Sequence, residues 1–471
     1  MGKGKKGQGG TGVAIITTRH RPRAERYAMG RSLRKKCPRE AHSKWKAPRD
    51  RPDPVQVVLE ADKGRLTELL PLRHGRMVVS PFTFYRGAAL NMAIDLASTP
   101  KTGVRVQCCG DAHLGNFRGF ATPERNVILA INDLDETLPA PWEWDVKRLA
   151  ASLVIASRDN GLSESTAKDV VLTCVKSYRE HMAEFSHMGS LDMWYFALEW
   201  ETIVAGIADP AIRRRALRRL GKAREASIAE DVFPKLVKNS GGKLVIKEQF
   251  PTIFHMKWQR PGEITRRVLK TFSIYLESLP PANRVLLDHY RIKDVAIKVV
   301  GVGSVGTRCW VVLFADGAGT PLFLQVKEAR SSVLEAYAGK SVYANHGQRV
   351  VDGHRLMQSA SDIFLGWTEG AYGHQYYVRQ LRDVKIKVAI ETLNKDEMAV
   401  FAGCCGQSLA VSHARSGDSS LISGYLGKND AFDEALADFA VAYADQTEAD
   451  YALLKQAVHS GKVKAAMEES N

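Results

Sequence analysis

Three short apolar runs stand one behind another late in the chain, at 295–301 (VAIKVVG), 309–314 (CWVVLF) and 322–327 (LFLQVK). Each has strand length and is rich in β-branched or aromatic residues. The turns between them carry Gly301, Gly303, Gly306, Gly317 and Gly319. Connections this short suit antiparallel neighbours, because a parallel crossover needs a dozen residues or more. A small antiparallel β block is therefore built into a chain whose remaining pattern is mostly helical. Residues 55–75, with Leu59, Leu66, Leu69 and Leu70 on one side, predict a helix, as do 84–98, 146–157 and 163–187. The stretch 190–290 reads as mainly helical, with Trp194, Tyr195, Phe196 and Trp200 clustered. Short strands are expected at 104–108 and 127–131, a helix at 345–360, a strand at 375–382, and helices at 396–415 and 430–457. No solenoid repeat is present. The expected class is α+β: a helix-rich larger lobe over 55–294, a β-rich lobe over 295–385, and C-terminal helices over 386–471 that pack on the first.

The chain of 471 residues corresponds to about three domain-sized units. Its 45% hydrophobic and 25% charged residues exclude a mainly disordered or collagen-like chain. The longest apolar stretch, 149–157, is bounded by Arg148 and Arg158 and falls short of the roughly 20 residues of a membrane span. The apolar piece 13–16 is too short for a signal peptide. A cytoplasmic protein with no membrane contact is expected. The seven cysteines include the adjacent pairs Cys108–Cys109 and Cys404–Cys405 but no CxxC, which predicts reduced core thiols rather than structural zinc.

Net charge is +15, and residues 1–52 carry 16 Lys/Arg against 3 Asp/Glu. Residues 1–54 therefore read as a flexible basic arm, with 48–54 (PRDRPDP) as its linker. The arm is either a solvated tail or a weak contact for nucleic acid through phosphate neutralisation.

Two constellations carry chemistry. The first is Gly110-Asp111-Ala112-His113-Leu114-Gly115-Asn116, on a loop between two predicted strands and followed after the second by Asn132-Asp133-Leu134-Asp135-Glu136. Mg²⁺ takes hard oxygen ligands, commonly one or two carboxylates plus substrate phosphates. Phosphoryl transfer also needs a carboxylate to receive or orient the acceptor hydroxyl. This loop supplies both; its bland alternative is a turn rich in structural Asp, Gly and Asn. The second constellation is Gly301-Val302-Gly303-Ser304-Val305-Gly306, a G-x-G-x-x-G between two strands. A dinucleotide fingerprint would have to open a helix. A hairpin instead suits the glycine-rich turn that covers ATP phosphates, with Lys327 on the following strand reaching the same phosphates. Glu335 and Asp352 are the candidate acids to hold Lys327. Gln380, Leu381 and Arg382, at the end of the 375–382 strand, would lie near an adenine.

The segment Gly110–Asn116 with Asp133 resembles the catalytic and metal-binding segments of aminoglycoside-phosphotransferase-like kinases, which carry H-G-D-x-H-x-x-N and then a strand ending in I-D. The resemblance implies that Asp111 is the catalytic base, that Asn116 and Asp133 bind the metal, with Asp135 a further candidate metal residue, and that His113 orients the loop. Asp145, twelve residues after Asp133 in WEWDVKRLA, is similar to the additional structural Asp of those enzymes. Cys109 stands where they have the leading His. Over about 55–455 the chain also resembles a bacterial family known only as a domain of unknown function, in stretches such as PFTFYRGAALNMA, CCGDAHLGNF, INDLDET and GQRVVDGHRLMQSASDIFLGW.

In ordinary kinases the glycine-rich lobe precedes the catalytic loop; here it follows. Both readings together imply a protein-kinase-like two-lobed fold in permuted order, with 398–415 standing for the helix that precedes the catalytic loop. The expected activity is ATP- and Mg²⁺-dependent phosphoryl transfer to a hydroxyl of an unidentified small molecule, sugar, lipid or protein, with 160–290 shaping the acceptor pocket. The alternatives are a catalytically silent nucleotide-binding scaffold, nucleotidyl transfer, and a nucleic-acid-associated protein acting through residues 1–52.

Overall fold

The computed structural model describes residues 19–225, 233–255, 261–381 and 385–467. It opens with α1 (Arg23–Leu33), and then α2 (Pro54–Asp62), α3 (Leu70–Met77), α4 (Pro81–Gly87) and α5 (Ala89–Ala97). The helix expected over 55–75 is thus two helices. The chain breaks between them at Gly64, whose φ of 79° lies in the left-handed region that glycine adopts without penalty. The helix expected over 84–98 also divides, at Ala88. Asp53 caps α2 by accepting from the amides of Val55 and Gln56, and Ser80 caps α4 with Pro81 in the first turn.

Residues 19–54 correct the expectation of a flexible arm. α1 lies across the helix Ser419–Leu426, and glycines make the close approach: a Cβ on Gly30 would sit 1.9 Å from the Leu421 carbonyl oxygen, and one on Gly424 would sit 2.1 Å from that of Tyr27. Arg34 donates to the carbonyls of Gly424 (2.7 Å) and Tyr425 (2.8 Å), and Arg39 to that of Leu426 (2.7 Å). These are orphan acceptors at a helix C-terminus, where cations are favoured. The expected linker is a clamp, because Arg51 bridges Asp95 and Asp450. Composition alone marks each of these cations as solvated, whereas most of their partners lie almost 400 residues away in sequence. Residues 1–18, with Lys3, Lys5 and Lys6, lie outside the described residues.

β1 (Arg105–Cys108) pairs antiparallel with β4 (Leu138–Pro141), while β2 (Phe117–Ala121) and β3 (Val127–Ile131) form a hairpin between them. α6 (Trp142–Asp159) follows and is buried from Trp142 to Ser157. With α7 (Glu164–Phe185) and the helices Lys395–Ser416 and Ala431–His459 it encloses the largest core. The stretch 190–290 is mainly helical, as expected, and also carries short strands. After helices Trp200–Gly206 and Pro210–Glu225 come the hairpin β5 (Val237–Ser240) and β6 (Lys243–Ile246), turning at Gly241-Gly242, and then β7 (Ile253–Phe254). A Gly-Gly pair is a hairpin signal.

The late apolar runs form β8 (Arg291–Lys298), β9 (Cys309–Ala315) and β10 (Pro321–Glu328), joined by β11 (Gly366–Glu369) and β12 (Gln375–Gln380). The six-stranded antiparallel sheet runs β11-β12-β10-β9-β8-β7. Its alternation separates two faces. Leu322 and Leu324 pack with Tyr275, Leu279 and Phe364. Phe323, Gln325 and Lys327 point to the other face, where Phe323, Val311, Leu313 and Ala296 are covered by Leu236, Val237 and Ile246. β13 (Lys385–Ile386) leaves this sheet and pairs with β2, so the chain passes from one half to the other there. Among the described residues no helix is long and apolar enough to cross a membrane. All seven cysteines are free thiols, six of them buried.

Candidate functional site

The loop after β1 is held from below by Asp145, in the first turn of α6. Its carboxylate accepts from the amides of Cys109 (2.6 Å) and Gly110 (2.9 Å) and from His413 (3.3 Å). Gly110 has φ 79°, and a Cβ there would fall 2.5 Å from the Glu136 carbonyl oxygen, so no other residue fits. The sharp turn brings the two acidic segments together. Asn116 locks them: its Nδ2 donates to the carbonyls of Asp111 (3.1 Å) and Asp133 (2.7 Å), and its Oδ1 accepts from the Asp133 amide (2.7 Å). In this arrangement Asn116 is a clamp between the acids.

Asp111 receives both Nε (2.7 Å) and Nη2 (2.5 Å) of Arg148 on one oxygen, Oδ1. Its Oδ2 faces His113 at 3.8 Å and is the oxygen left for another donor. Burial pushes the Asp111 carboxyl up to about 7, against the pull of Arg148, with Glu136 and Asp133 adding to the rise. His113 is buried and packs edge-on against Phe82. Burial, reinforced by Arg86 and Arg148, holds it well below the usual histidine range, so it is a neutral, loop-stiffening ring.

The second constellation meets the first. Lys327, on the cleft face of β10, places Nζ 3.0 Å from Asp133 and 2.8 Å from Asp135. Ser304, in the glycine turn, reaches Asp135 at 3.4 Å. Tyr377 on β12 donates to Asp135 (2.7 Å), and Arg379, two residues on, donates to the Asn132 carbonyl (2.9 Å). Burial by itself would raise the Asp133 carboxyl, but Lys327 and Arg379 outweigh it and hold the group well below the usual range. Asp135 moves the opposite way, raised by burial and by the Asp133 charge beside it. Burial would lower Lys327, yet the two carboxylates hold its ammonium far above the ordinary lysine value. Two acids pushed apart over one cation form a hard-oxygen set, the donor chemistry that suits Mg²⁺.

The glycine turn is tied down from the helical side. Arg65 donates to the carbonyls of Gly303 and Val305, each at 2.7 Å, Arg76 to that of Gly301 (2.6 Å), and the Leu66 amide to that of Gly306 (2.7 Å). Below, Arg349 of the helix His346–Met357 donates to the carbonyls of Thr137 (2.5 Å), Asp135 (2.8 Å) and Arg330 (2.8 Å), stitching the acidic segment to the sheet.

Several expected roles fall elsewhere. Glu335 pairs with His346 (3.7 Å) and Asp352 with Arg355 (3.5 Å), and neither holds Lys327. The metal-segment acids do so, because the glycine turn and the acidic segment are already in contact. Gln380 and Leu381 lie at the far end of β12 with their amides engaged, by Asp362 and by the Phe323 carbonyl (2.9 Å). Leu381 is buried beneath the β5–β6 hairpin, and Gln380 lines a pocket with Phe120, His354 and Lys385. Arg382 lies outside the described residues. The aromatic cluster divides: Tyr195 is exposed, while Trp200 is buried against Gly119 of β2. Arg148, Tyr377 and Arg379 were not anticipated. Arg148 stands three residues after Asp145 and so shares its helix face, and Tyr377 and Arg379 alternate on the same strand face as Lys327 once the register is known.

The sequence model of one protein family matches residues 65–457. The chain belongs to the family described as "Uncharacterized protein conserved in bacteria (DUF2252)". The matched range takes in both constellations and the arginines that tie the glycine turn. No curated protein and no solved structure matches the chain.

Proposed function

We propose that the protein is an ATP- and Mg²⁺-dependent phosphotransferase of kinase-like, permuted architecture that acts on a hydroxyl acceptor. The observation that carries the reading is the meeting of Lys327 and Ser304 with Asp133 and Asp135, segments almost two hundred residues apart. A glycine turn between the first two strands of an antiparallel run, a lysine on the third, and an acid that follows a D-x-x-x-x-N loop are the recurring parts of kinase sites. Lys327 would neutralise phosphate oxygens. Asp133 and Asp135, with Asn116 fixing the Asp133 backbone, would hold the metal, which when bound offsets the charge of the phosphates. Asp111 keeps Oδ2 free to take the acceptor proton, and a carboxyl raised to about 7 is suited to general-base work near neutral pH. The test is transfer of label from γ-labelled ATP in wild type, Asp111→Asn, Asp133→Ala and Lys327→Ala. Loss in all three supports the reading; wild-type ATP affinity and turnover in Asp133→Ala and Lys327→Ala overturn it. Mass spectrometry of the acceptor separates phosphoryl from nucleotidyl transfer.

A second reading, a catalytically silent scaffold, is favoured by the cover on the sheet. Beyond Lys327 the cleft face carries the Arg379–Gln325 hydrogen bond (3.1 Å), then the apolar patch closed by Leu236, Val237 and Ile246. ATP binding without turnover, unchanged in Asp111→Asn, supports the scaffold; any turnover that Asp111→Asn abolishes dismisses it.

A further inference from the structure

One cation beside the acidic cluster has no counterpart in either constellation. Arg86 is the last side chain of α4 before Gly87, within the apolar run FTFYRGAAL. Its helix is wedged between the two halves of the site. The Arg86 carbonyl lies 3.2 Å from where a Cβ on Gly303 would stand, and the neighbouring Tyr85 carbonyl accepts from Arg148, the partner of Asp111 (3.1 Å). Tyr85 is fully buried and its hydroxyl donates to the Arg148 carbonyl (2.8 Å), so α4 cannot swing away.

The other arginines around the cleft are engaged: Arg148 by Asp111, Arg379 by Asn132 and Gln325, Arg349 and Arg65 by carbonyls. Arg86 makes no hydrogen bond or ion pair among the described residues, and its Nε is buried without a partner. Its charged neighbours are Asp111, Glu391, Arg76 and Asp133, and burial lowers its hold on the proton despite the acids. Arg118 of β2 faces Asp133 as well, with Arg379 and Arg86 as its other charged neighbours, and a 3.3 Å contact to the Gly115 carbonyl is its hydrogen bond. Arg86 is half-buried, and a guanidinium whose Nε is buried without a partner costs free energy unless something completes it. An anion entering the cleft would complete it, since the nearby backbone carbonyls of the glycine turn already accept from Arg65 and Arg76. Tying those carbonyls back also turns the amides of Val302, Ser304 and Gly306 to the opposite side, because a trans peptide points its C=O and N–H apart. A planar guanidinium fork on α4, whose backbone touches the glycine turn, and a set of amides in that turn are both groups that bind phosphate.

We propose that Arg86, supported by Arg118, is a phosphate ligand that grips the terminal phosphoryl group of a polyphosphate lying between the glycine turn and Asp111. The identity of that polyphosphate as ATP rests on the phosphotransferase reading; the anion site does not. The helix that supplies Arg86 belongs to neither the β sheet nor the catalytic loop, so the site takes a third element.

Titration calorimetry on the full chain tests this, with inorganic tripolyphosphate and with the nonhydrolysable ATP analogue AMP-PNP plus Mg²⁺, for wild type, Arg86→Gln and Arg86→Lys. Thermal melting reports folding of each variant. Tripolyphosphate binding that weakens roughly tenfold or more in Arg86→Gln, with Arg86→Lys between it and wild type, is expected. Equal affinity in wild type and folded Arg86→Gln overturns the inference and leaves the phosphotransferase reading standing if AMP-PNP still binds. Tripolyphosphate binding that depends on Arg86, without AMP-PNP binding, supports the site and removes the ATP reading. If Arg86→Gln does not fold, the comparison of wild type with Arg86→Lys decides: no loss there overturns the inference. Absence of binding of either ligand to wild type overturns both.

Discussion

Asp111 holds its place through opposing forces, and its pH behaviour follows from them. Both Arg148 donors fall on Oδ1, yet burial raises the carboxyl to about 7. An acid in the unfolded chain titrates near 4. Between roughly pH 4 and 7 the native state therefore keeps a proton that the unfolded state has lost, and native stability falls as pH rises through that window. Asp111→Asn removes this slope. The difference in melting temperature between the variant and wild type is expected to move in favour of the variant from pH 4 to pH 8, on top of a pH-independent loss from leaving the buried Arg148 without its charged partner. Wild-type transfer is expected to climb with pH to a plateau, with its midpoint near 7. A flat rate profile from pH 5 to 9 would count against Asp111 as the base.

At the scale of elements, the N-terminal helix behaves as part of the fold although its composition resembles a tail. α1 rests on the Ser419–Leu426 helix at a glycine crossing, and Arg26 pairs with the buried Asp418 (2.8 Å). Gly30→Ala puts a methyl against the Leu421 carbonyl, and overpacking of this kind costs about 1–3 kcal/mol. The expected outcome is a lower melting temperature together with faster tryptic cleavage within residues 19–52. Unchanged cleavage would mean that α1 tolerates the added methyl by a small shift. The β5–β6 hairpin is the second element whose part depends on what it touches. Its outward residues Lys238, Asn239 and Lys243 are exposed, while Val237 and Ile246 close the apolar end of the cleft face.

Across the whole molecule, the junction between the sheet and the helical half is built on charge. Lys327 is fully buried between Asp133 and Asp135, which retain partial exposure. Removing one member of a buried pair costs about 3–5 kcal/mol, and the exposure of these acids brings the expected loss for Lys327→Met down to about 2–3 kcal/mol at pH 7. The sign with pH is fixed by the shifts. Lys327 is raised, so its charge is present throughout the acid and neutral range. Asp133 is depressed, so the stability it gains from Lys327 is present above an ordinary Asp value and is lost as pH falls below it. Denaturant unfolding is expected to show the gap between Lys327→Met and wild type narrowing below pH 4. An equal gap at pH 7 and pH 3.5 would show that the loss is one of packing and not of charge.

Much of this was legible in the chain. The late strands, the Asp111–Asn116 loop and the downstream acids follow from local pattern, because period-2 alternation, glycine turns and short-range spacing act through neighbours in sequence, while the structural place of Asp145 came from the resemblance. What the tertiary structure decided was which charges meet. The sequence offered Glu335 and Asp352 to Lys327, and the fold supplied Asp133 and Asp135. It offered a solvated basic arm, and the fold gave those arginines to helix-end carbonyls and buried acids almost 400 residues away. It offered Arg86 no role, and the fold left it unpaired beside Asp111 and Asp133. The physical reason is one of range. Backbone geometry and hydrophobic period are settled within a few residues, whereas the partner of a buried charge is whichever group the packed chain brings within about 3–4 Å, and no local pattern encodes that.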